Sequence, residues 1–322
     1  MAKSTNSYNI TIRRCSFALV TMAVLATHIY PQKQNPNQVA ILRWYKANQT
    51  TVFPVGSGPE GVAFDGANIW VANSRDNTVT KLRANDGSTL GTFTVAMAPQ
   101  GIAFDGANIW VSNENSNNIT KLRASDGTVL GTFPVGSSPN GVAFDGTNIW
   151  VANVGSDNVS KLRASDGLTL GTFAVGAAPA SVAFDGAHIW VANAHSNTVT
   201  KLRANDGGTL GTFAVANQPL GLAFDGNNIW VTNELGASVT KLRASDGAIL
   251  GTFAVGVNPV FLAFDGVNIW VANGVSNTVT KLRASDGVNL GNFPAGTTPY
   301  GVAFDGANIW VTNTGSVTVS KL

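Results

Sequence analysis

Short runs rich in Val, Ile, Phe, Trp and Thr alternate with polar turns along most of the chain. Gly, Pro, Asn and Asp separate the runs, as expected for turns between β-strands. No run has the length or the 3.6-residue period of a helix. The pattern therefore predicts an all-β protein. In the first complete unit the predicted strands are 61–65, 69–73, 78–83 and 90–95.

This four-strand unit repeats with a period of 40 residues. Seven of the eight Trp residues follow that period. Four strands in about 40 residues are typical of one propeller blade. The sequence therefore predicts a seven-bladed β-propeller over residues 51–322. The repeated string Phe-Asp-Gly begins at Phe64, Phe104, Phe144, Phe184, Phe224, Phe264 and Phe304.

The two ends of the repeat region predict how the ring closes. The last copy stops at Leu322, after its third strand. Residues 51–56 match the pattern of residues 91–96, which form the fourth strand of the first unit. A closed ring leaves only short strand edges exposed to solvent. We therefore expect an N-terminal strand to complete the last blade.

The N-terminus has the features of a secretory signal over residues 1–26. Lys3, Arg13 and Arg14 precede an apolar run, 17–26, that ends at a small residue. The run is too short for an ordinary membrane-spanning helix. An uncleaved anchor remains the alternative and would be the only membrane contact. Both interpretations predict a secreted or periplasmic protein, with residues 27–50 as a polar leader.

Removal of that segment changes the charge and the cysteine content. The formal net charge of +2 falls to −1, because three of the 20 basic residues and none of the 18 acidic ones are removed. The single cysteine, Cys15, is removed as well. We therefore expect a mature protein without a disulfide or a thiolate nucleophile. We also expect it to be a monomer.

Two strings in the repeat resemble known propeller families. Ile-Trp-Val-Thr-Asn at Ile229–Asn233 and Ile309–Asn313 resembles the hallmark of YVTN-type repeats. The run Pro-x-Gly-Val-Ala-Phe-Asp-Gly, followed by Ile-Trp-Val, resembles NHL-type repeats and the streptogramin (virginiamycin B) lyases. The resemblance covers residues 51–322 and implies the propeller fold. Propellers carry many unrelated functions, so it implies an activity much less specifically.

The loops fall into two classes on opposite faces. The Asp-Gly-x-Asn turn and the Ala-Ser/Asn-Asp-Gly turn hardly vary, and alternating strand direction places both on one face, here called the invariant face. The loop before each first strand and the loop after each second strand vary strongly. These loops define the variable face. We expect the ligand site there, because the loop leading into the innermost strand borders the central funnel.

The candidate ligand-binding residues break the repeat on the variable face. Its polar members Glu60, Arg75, Gln100, Glu114 and Asn140 fall on neighbouring blades, and its apolar members fall on the opposite blades. Phe261 and Ser181 replace the Gly of the other five copies. An amphipathic ligand or a peptide fits this division, and neutral drift in exposed loops is the alternative. The remaining candidates are His195, Leu220, Glu234, Val260, Phe261 and Tyr300.

The invariant residues have structural explanations and functional alternatives. The seven Asp residues from Asp65 to Asp305 could form a cation-binding ring, or each carboxylate could bond to its own turn. The seven Trp residues could stack on sugars or bases, or pack between blades. The variable face carries five acidic residues and only Arg75 as a base, which disfavours a phosphate-binding surface and hence nucleic acid.

Three functions remain open from the sequence. The favoured one is a secreted, non-enzymatic propeller that binds a protein, peptide or small ligand without a cofactor or metal. The resemblance to streptogramin lyases implies a Mg²⁺-assisted elimination, for which His195 with Glu234 or Glu114 would have to serve. The near-identical repeats also fit a purely structural or surface-display protein.

Overall fold

This computed structural model describes residues 51–322. It contains twenty-eight β-strands in that range. The predicted signal segment 1–26 and leader 27–50 lie outside the described residues. The strands form seven antiparallel sheets of four strands each. The seven-bladed propeller predicted from the repeat is therefore confirmed.

The blades follow one another in chain order. Blade 1 is formed by strands within residues 59–94, blades 2 to 6 by the next five groups of four strands, and blade 7 by strands within residues 299–321 together with the strand at residues 52–54. Single-turn 3-10 helices occupy Glu114–Ser116 and Val154–Ser156. The strands are β1 (Val52–Pro54), β2 (Pro59–Phe64), β3 (Asn68–Asn73), β4 (Thr78–Arg83), β5 (Thr89–Thr94), β6 (Pro99–Phe104), β7 (Asn108–Asn113), β8 (Asn118–Arg123), β9 (Val129–Pro134), β10 (Pro139–Phe144), β11 (Asn148–Asn153), β12 (Asn158–Arg163), β13 (Thr169–Ala174), β14 (Pro179–Phe184), β15 (His188–Asn193), β16 (Thr198–Arg203), β17 (Thr209–Ala214), β18 (Pro219–Phe224), β19 (Asn228–Asn233), β20 (Ser238–Arg243), β21 (Ile249–Ala254), β22 (Pro259–Phe264), β23 (Asn268–Asn273), β24 (Thr278–Arg283), β25 (Asn289–Pro294), β26 (Pro299–Phe304), β27 (Ile309–Asn313) and β28 (Thr318–Lys321).

The first strand of each blade starts earlier than its apolar run indicates. β2 begins at Pro59 rather than at Gly61, because Pro59 pairs with Asn73 before a bulge interrupts the ladder. The bulge brings Gly61 against the neighbouring blade. A Cβ atom built on Gly61 would overlap the carbonyl oxygen of Gln100, so in blade 1 a larger residue would require the backbone to shift.

A buried unit of Asp, Trp and Lys repeats in every blade. The Trp70 indole N–H donates to Asp65 at 2.7 Å, and the same carboxylate accepts the backbone N–H groups of Ala67 and Asn68. The Lys81 ammonium lies 5.0 Å from the Trp70 ring centroid. The Asp therefore closes its own turn and the Trp packs between blades. The cation-ring and stacking alternatives are not needed to explain these residues.

Six of these seven lysines also link successive blades. Lys81 donates to the carbonyl oxygen of Ala124 in blade 2 at 2.7 Å, and Lys321 donates to that of Ala84 in blade 1 at 2.8 Å. Each Trp also packs on a Phe of its own blade, as Trp70 does on Phe93 with ring centroids 5.6 Å apart. One unit therefore fixes the turn, the core and the interface between blades.

β1 closes the ring as predicted. It pairs antiparallel with β28, with Phe53 opposite Val319. Phe53 is 6% exposed and packs on Trp310 with ring centroids 5.5 Å apart. The backbone N–H of Lys321 also donates to the carbonyl of Thr51. The fourth strand of blade 7 thus comes from the start of the described chain.

Loss of β1 should destabilise the whole ring. We expect a chain beginning at Ser57 to melt roughly 10 °C below a chain beginning at Thr27, because losing a buried Phe costs about 3–5 kcal/mol and each kcal/mol lowers Tm by about 2–4 °C. A chain beginning at Thr51 keeps β1 and serves as the control in thermal unfolding. Equal midpoints for the chains beginning at Ser57 and Thr51 would disprove closure by β1.

The second variable loop ends in a left-handed residue, usually Asn. Asn77 has φ 56°, and its Oδ1 accepts the backbone N–H of Ala98 in the next blade at 2.9 Å. In blade 7 this position is Val317, also with φ 56°. A β-branched residue is strained in this conformation and has no oxygen with which to accept that bond.

The substitution Val317→Asn should stabilise the protein. We expect a gain of about 1 kcal/mol or more, because the strain is relieved and a side-chain oxygen becomes available to the Gly58 N–H of blade 1. The reciprocal change Asn77→Val should lower stability by a similar amount. Urea unfolding of both variants tests this expectation, and a destabilised Val317→Asn variant would contradict it.

Candidate ligand-binding site on the variable face

The two sets of variable loops meet on one face of the disc. The backbone N–H of Ser74, after β3, donates to the carbonyl of Gly58, before β2, at 2.8 Å. On the opposite face the two invariant turns are joined in the same way, by a bond from Ala84 to Ala67 at 3.1 Å. Each face is therefore one continuous surface, with the variable loops around the central channel.

A cavity of about 160 Å³ lies on the channel axis between the innermost strands. Gln100, Asn140 and Ser181, from blades 2 to 4, contribute polar side chains to its wall. Phe261 and Tyr300, from blades 6 and 7, contribute aromatic rings. The cavity wall is therefore amide- and hydroxyl-bearing on one side and aromatic on the other.

The aromatic side is a single contact between two blades. The rings of Phe261 and Tyr300 have centroids 5.1 Å apart and planes inclined at 56°. Phe261 stands at a bulge position that is Gly in five of the seven blades. A side chain at this position lines the channel, so one substitution in the repeat makes one side of the cavity aromatic.

Three carboxylates act on the Tyr300 hydroxyl. The charge of Glu60 has the largest effect of the three, and the charges of Glu114 and Glu234 add to it. Burial, followed by the charge of Glu60, raises the pKa of Tyr300 far above its ordinary value, so it stays a neutral donor. Glu60, Glu114 and Glu234 are hereafter called the Glu cluster.

Glu60 is a partly buried carboxylate with a raised pKa. Burial is the main cause, and the nearby charge of Glu114 adds to that effect. The hydrogen bond from Ser74, at 3.0 Å, acts in the opposite direction without cancelling it, as do the Tyr300 hydroxyl and the charge of Arg75. An added positive charge beside Glu60 would relieve this cost of burying its ionised form.

The other two carboxylates are oriented by side-chain amides. Gln100 donates to Glu114 at 2.9 Å. Glu234 accepts from Asn258 at 2.6 Å and from Gln218 as well. These amide donors hold the two carboxylates in place on the variable face.

Backbone positions at the mouth are held by hydroxyl groups from neighbouring blades. Thr312 donates to the carbonyl of Glu60 at 2.6 Å, and Thr232 donates to that of Val260 at 2.6 Å. Ser112 does the same for Asn140. The other four blades have Ala at this position. The Thr of the Trp-Val-Thr-Asn string thus fixes a mouth residue of the next blade.

The remaining sequence-predicted residues lie outside the cavity wall. His195 is exposed on a loop of blade 4, and Arg75 is exposed on blade 1. Leu220 packs on a small alanine cluster that includes Ala180. Val260 is 4% exposed and holds its position through packing and its backbone carbonyl.

The sequence pattern did not single out Ser74, Gln218 or Asn258. Gln218 and Asn258 directly precede the Pro of their repeats, and both have a left-handed backbone. A comparison of that position across the seven copies would have found the variation. Gln218 and Asn258 lie 16 and 24 positions from Glu234 in the sequence. Their hydrogen bonds to Glu234 form only in the folded protein, so the sequence pattern does not reveal them.

The two described histidines lie on opposite faces of the propeller. His188 lies in an invariant turn and is bonded to Asp185 at 3.2 Å through its ring nitrogen. Within residues 51–322 no three His, Cys, Asp or Glu side chains are grouped as metal ligands would be. No helix in that same part of the chain has the length and apolar character needed to cross a membrane.

Solved structures with the same architecture include propeller enzymes. A hydrazine synthase of Kuenenia stuttgartiensis aligns with TM-score 0.74 at 18% identity, covering 85% of this chain and 98% of that one. A streptogramin B lyase aligns with TM-score 0.73 at 20% identity, covering 84% and 95%. A catalytically inactive virginiamycin B lyase of Staphylococcus aureus, with quinupristin, aligns with TM-score 0.73 at 17% identity, covering 84% and 98%.

These alignments confirm the resemblance in fold to the streptogramin lyase propellers. At such identities they establish the fold and not the activity. No family model and no curated protein matches the chain. Functional conclusions must therefore be drawn from the residues of the variable face.

The substitution Glu60→Gln should change how stability depends on pH. The folded protein holds the Glu60 proton more tightly than the unfolded chain, so wild-type stability falls as pH rises from the ordinary value of 4.5 through the raised pKa. The variant lacks this loss and should have the higher Tm near neutral pH. The difference should vanish below pH 4.5. Thermal melts of both proteins below pH 4.5 and near neutral pH test this expectation. A Tm difference between variant and wild type that is the same at both pH values would contradict it.

Proposed function

We propose that this protein is an exported, non-enzymatic propeller that binds a small, positively charged ligand on its variable face. The observation that carries the proposal is the Glu cluster around Tyr300, beside a cavity on the channel axis. The proposal needs no cofactor, no metal and no second protein chain. Rigid inner strands and hydroxyl-anchored backbone provide a preformed site.

Charge favours a cation over other ligands. The variable face has five acidic residues against Arg75. Two of the five, Asp76 and Asp157, accept backbone N–H groups from neighbouring loop residues. The three Glu side chains accept hydrogen bonds from neutral donors, and an excess of acidic groups on one face attracts cations. A phosphate-rich partner such as nucleic acid would be repelled.

Binding is better supported than lyase chemistry. Elimination requires a base within hydrogen-bond reach of the proton that it removes. Of the described histidines, His188 lies on the invariant face and His195 is exposed outside the cavity wall. The lyase interpretation therefore rests on the fold alone. A streptogramin-degradation assay on wild type and His195→Ala would reveal such an activity.

Replacing the Glu cluster should abolish cation binding. We expect the triple variant Glu60→Gln, Glu114→Gln and Glu234→Gln to lose most of the calorimetric signal for spermidine and for simple alkylamines. Wild-type binding should weaken with salt, because exposed charges are screened over about 8 Å at physiological ionic strength. The variant should keep its fold, because Gln has nearly the same volume as Glu and the change leaves only one of the two amide donors to Glu234 without an acceptor.

The matched control lies on the invariant face. Changing Asp65, Asp105 and Asp145 to Asn also removes three charges, but from turn bonds to Trp. This variant should melt at a lower temperature and keep its cation affinity. The proposal fails if wild type binds no cation, or if the Asp variant rather than the Glu variant loses binding.

A further inference from the structure

We infer that the ligand is a small aromatic monoamine, with its ring in the axial cavity and its ammonium group at the Glu cluster. The inference rests on the proposed function and adds the chemical class of the ligand. It depends on features that a charge-only site would not need, namely the volume of the cavity, its aromatic pair and a buried amide. Each of these limits the ligand in a different way.

The cavity volume limits the ligand to about one ring. At about 160 Å³ it is close to the roughly 150 Å³ of an apolar protein cavity that accepts benzene. Val62, Leu222 and Leu262 supply aliphatic wall between the polar and aromatic sides. A six-membered ring fills such a space, whereas a peptide or an extended polyamine would leave most of its length outside.

The aromatic pair favours a ring over an alkyl chain. Phe261 and Tyr300 are inclined at 56° with centroids 5.1 Å apart, so one ring presents its edge towards the face of the other. A third ring in the cavity can extend this arrangement through offset or edge-to-face contacts. Gly at position 261, as in five of the blades, would provide no such contact.

The carboxylates place the charged group at the aromatic side. Tyr300 lines the cavity and the charge of Glu60 acts on its hydroxyl, so the aromatic wall adjoins the Glu cluster at this side chain. An ammonium group joined to the ring by a short linker can reach Glu60 while the ring stays in contact with Tyr300. Proximity of the cation to the Tyr300 ring would add a favourable cation–π term.

Gln100 links the cavity wall to the Glu cluster. It is 8% exposed, lines the cavity and donates its amide N–H to Glu114 at 2.9 Å. Its carbonyl oxygen accepts no hydrogen bond from any residue in the described part of the chain, and it is not one of the fully buried polar atoms there. A ligand ammonium or ring hydroxyl can donate to this accessible oxygen.

The test compares amines that differ in one feature at a time. Isothermal titration of the wild-type protein would use phenethylamine, propylamine, benzyl alcohol and spermidine. We expect phenethylamine to bind roughly tenfold more tightly than propylamine, since a buried aromatic contact is worth about one factor of ten. Benzyl alcohol, which has the ring without the charge, should bind at least as weakly as propylamine.

Two variants separate the ring from the charge. Phe261→Gly restores the residue of the other blades and should weaken phenethylamine about tenfold while leaving propylamine unchanged. Val275→Ala removes an exposed apolar side chain from the same blade and should change neither affinity. Circular dichroism and thermal melts would show that both variants are folded.

The outcomes distinguish this inference from the proposed function. Equal binding of propylamine and phenethylamine, or no effect of Phe261→Gly, would overturn the aromatic ligand and leave cation binding intact. Tighter binding of spermidine than of phenethylamine would also overturn it, in favour of a polycation held by the Glu cluster alone. Absence of binding by every amine would overturn both proposals.

Discussion

The rest of the structure depends on the buried Trp of each second strand and the two charges that hold it. Its indole N–H donates to the turn Asp at 2.7–2.8 Å in all seven blades. A Lys ammonium lies 4.6–5.1 Å from its ring centroid in the same blades. Burying a lysine is costly unless it is paired or hydrogen-bonded. The π face helps to meet that need in every blade, and carbonyl groups of the next blade accept hydrogen bonds from six of the seven lysines. The blade core and the blade interface are therefore formed by one set of contacts.

This arrangement separates stability from binding. The Asp carboxylates that close the turns lie at the invariant face, and their hydrogen bonds lower their pKa although burial alone would raise it. The repeated Asp charges thus stabilise turns on the invariant face. The variable loops of the opposite face can change in sequence without loss of these contacts. Substitutions there act mainly on exposed loop residues, which seldom contribute much to stability.

The repeat made the fold predictable, whereas the site was predictable only in part. The period and the truncated last copy predicted seven blades and closure by β1, because both follow from counting strands. The early start of β2 at Pro59 was missed, since a bulge with a close interblade approach has no apolar signature. The Glu cluster and Phe261 stood out because they break the repeat. Gln218 and Asn258 did not, because their contacts to Glu234 link different loops.

The hydroxyls of the second strands show how a near-symmetric ring can support an asymmetric site. Ser112, Thr232 and Thr312 each donate to the carbonyl of the residue after Pro in the next blade. Two of those acceptor residues are Asn140, in the cavity wall, and Glu60, in the Glu cluster. A hydroxyl at this position also accepts the N–H of a bulge Gly, as Thr312 does from Gly301 at 2.8 Å. One hydroxyl oxygen thus connects the bulge of its own blade to the backbone of the next blade. A blade with Thr at this position therefore anchors a mouth residue of the next blade, and a blade with Ala does not.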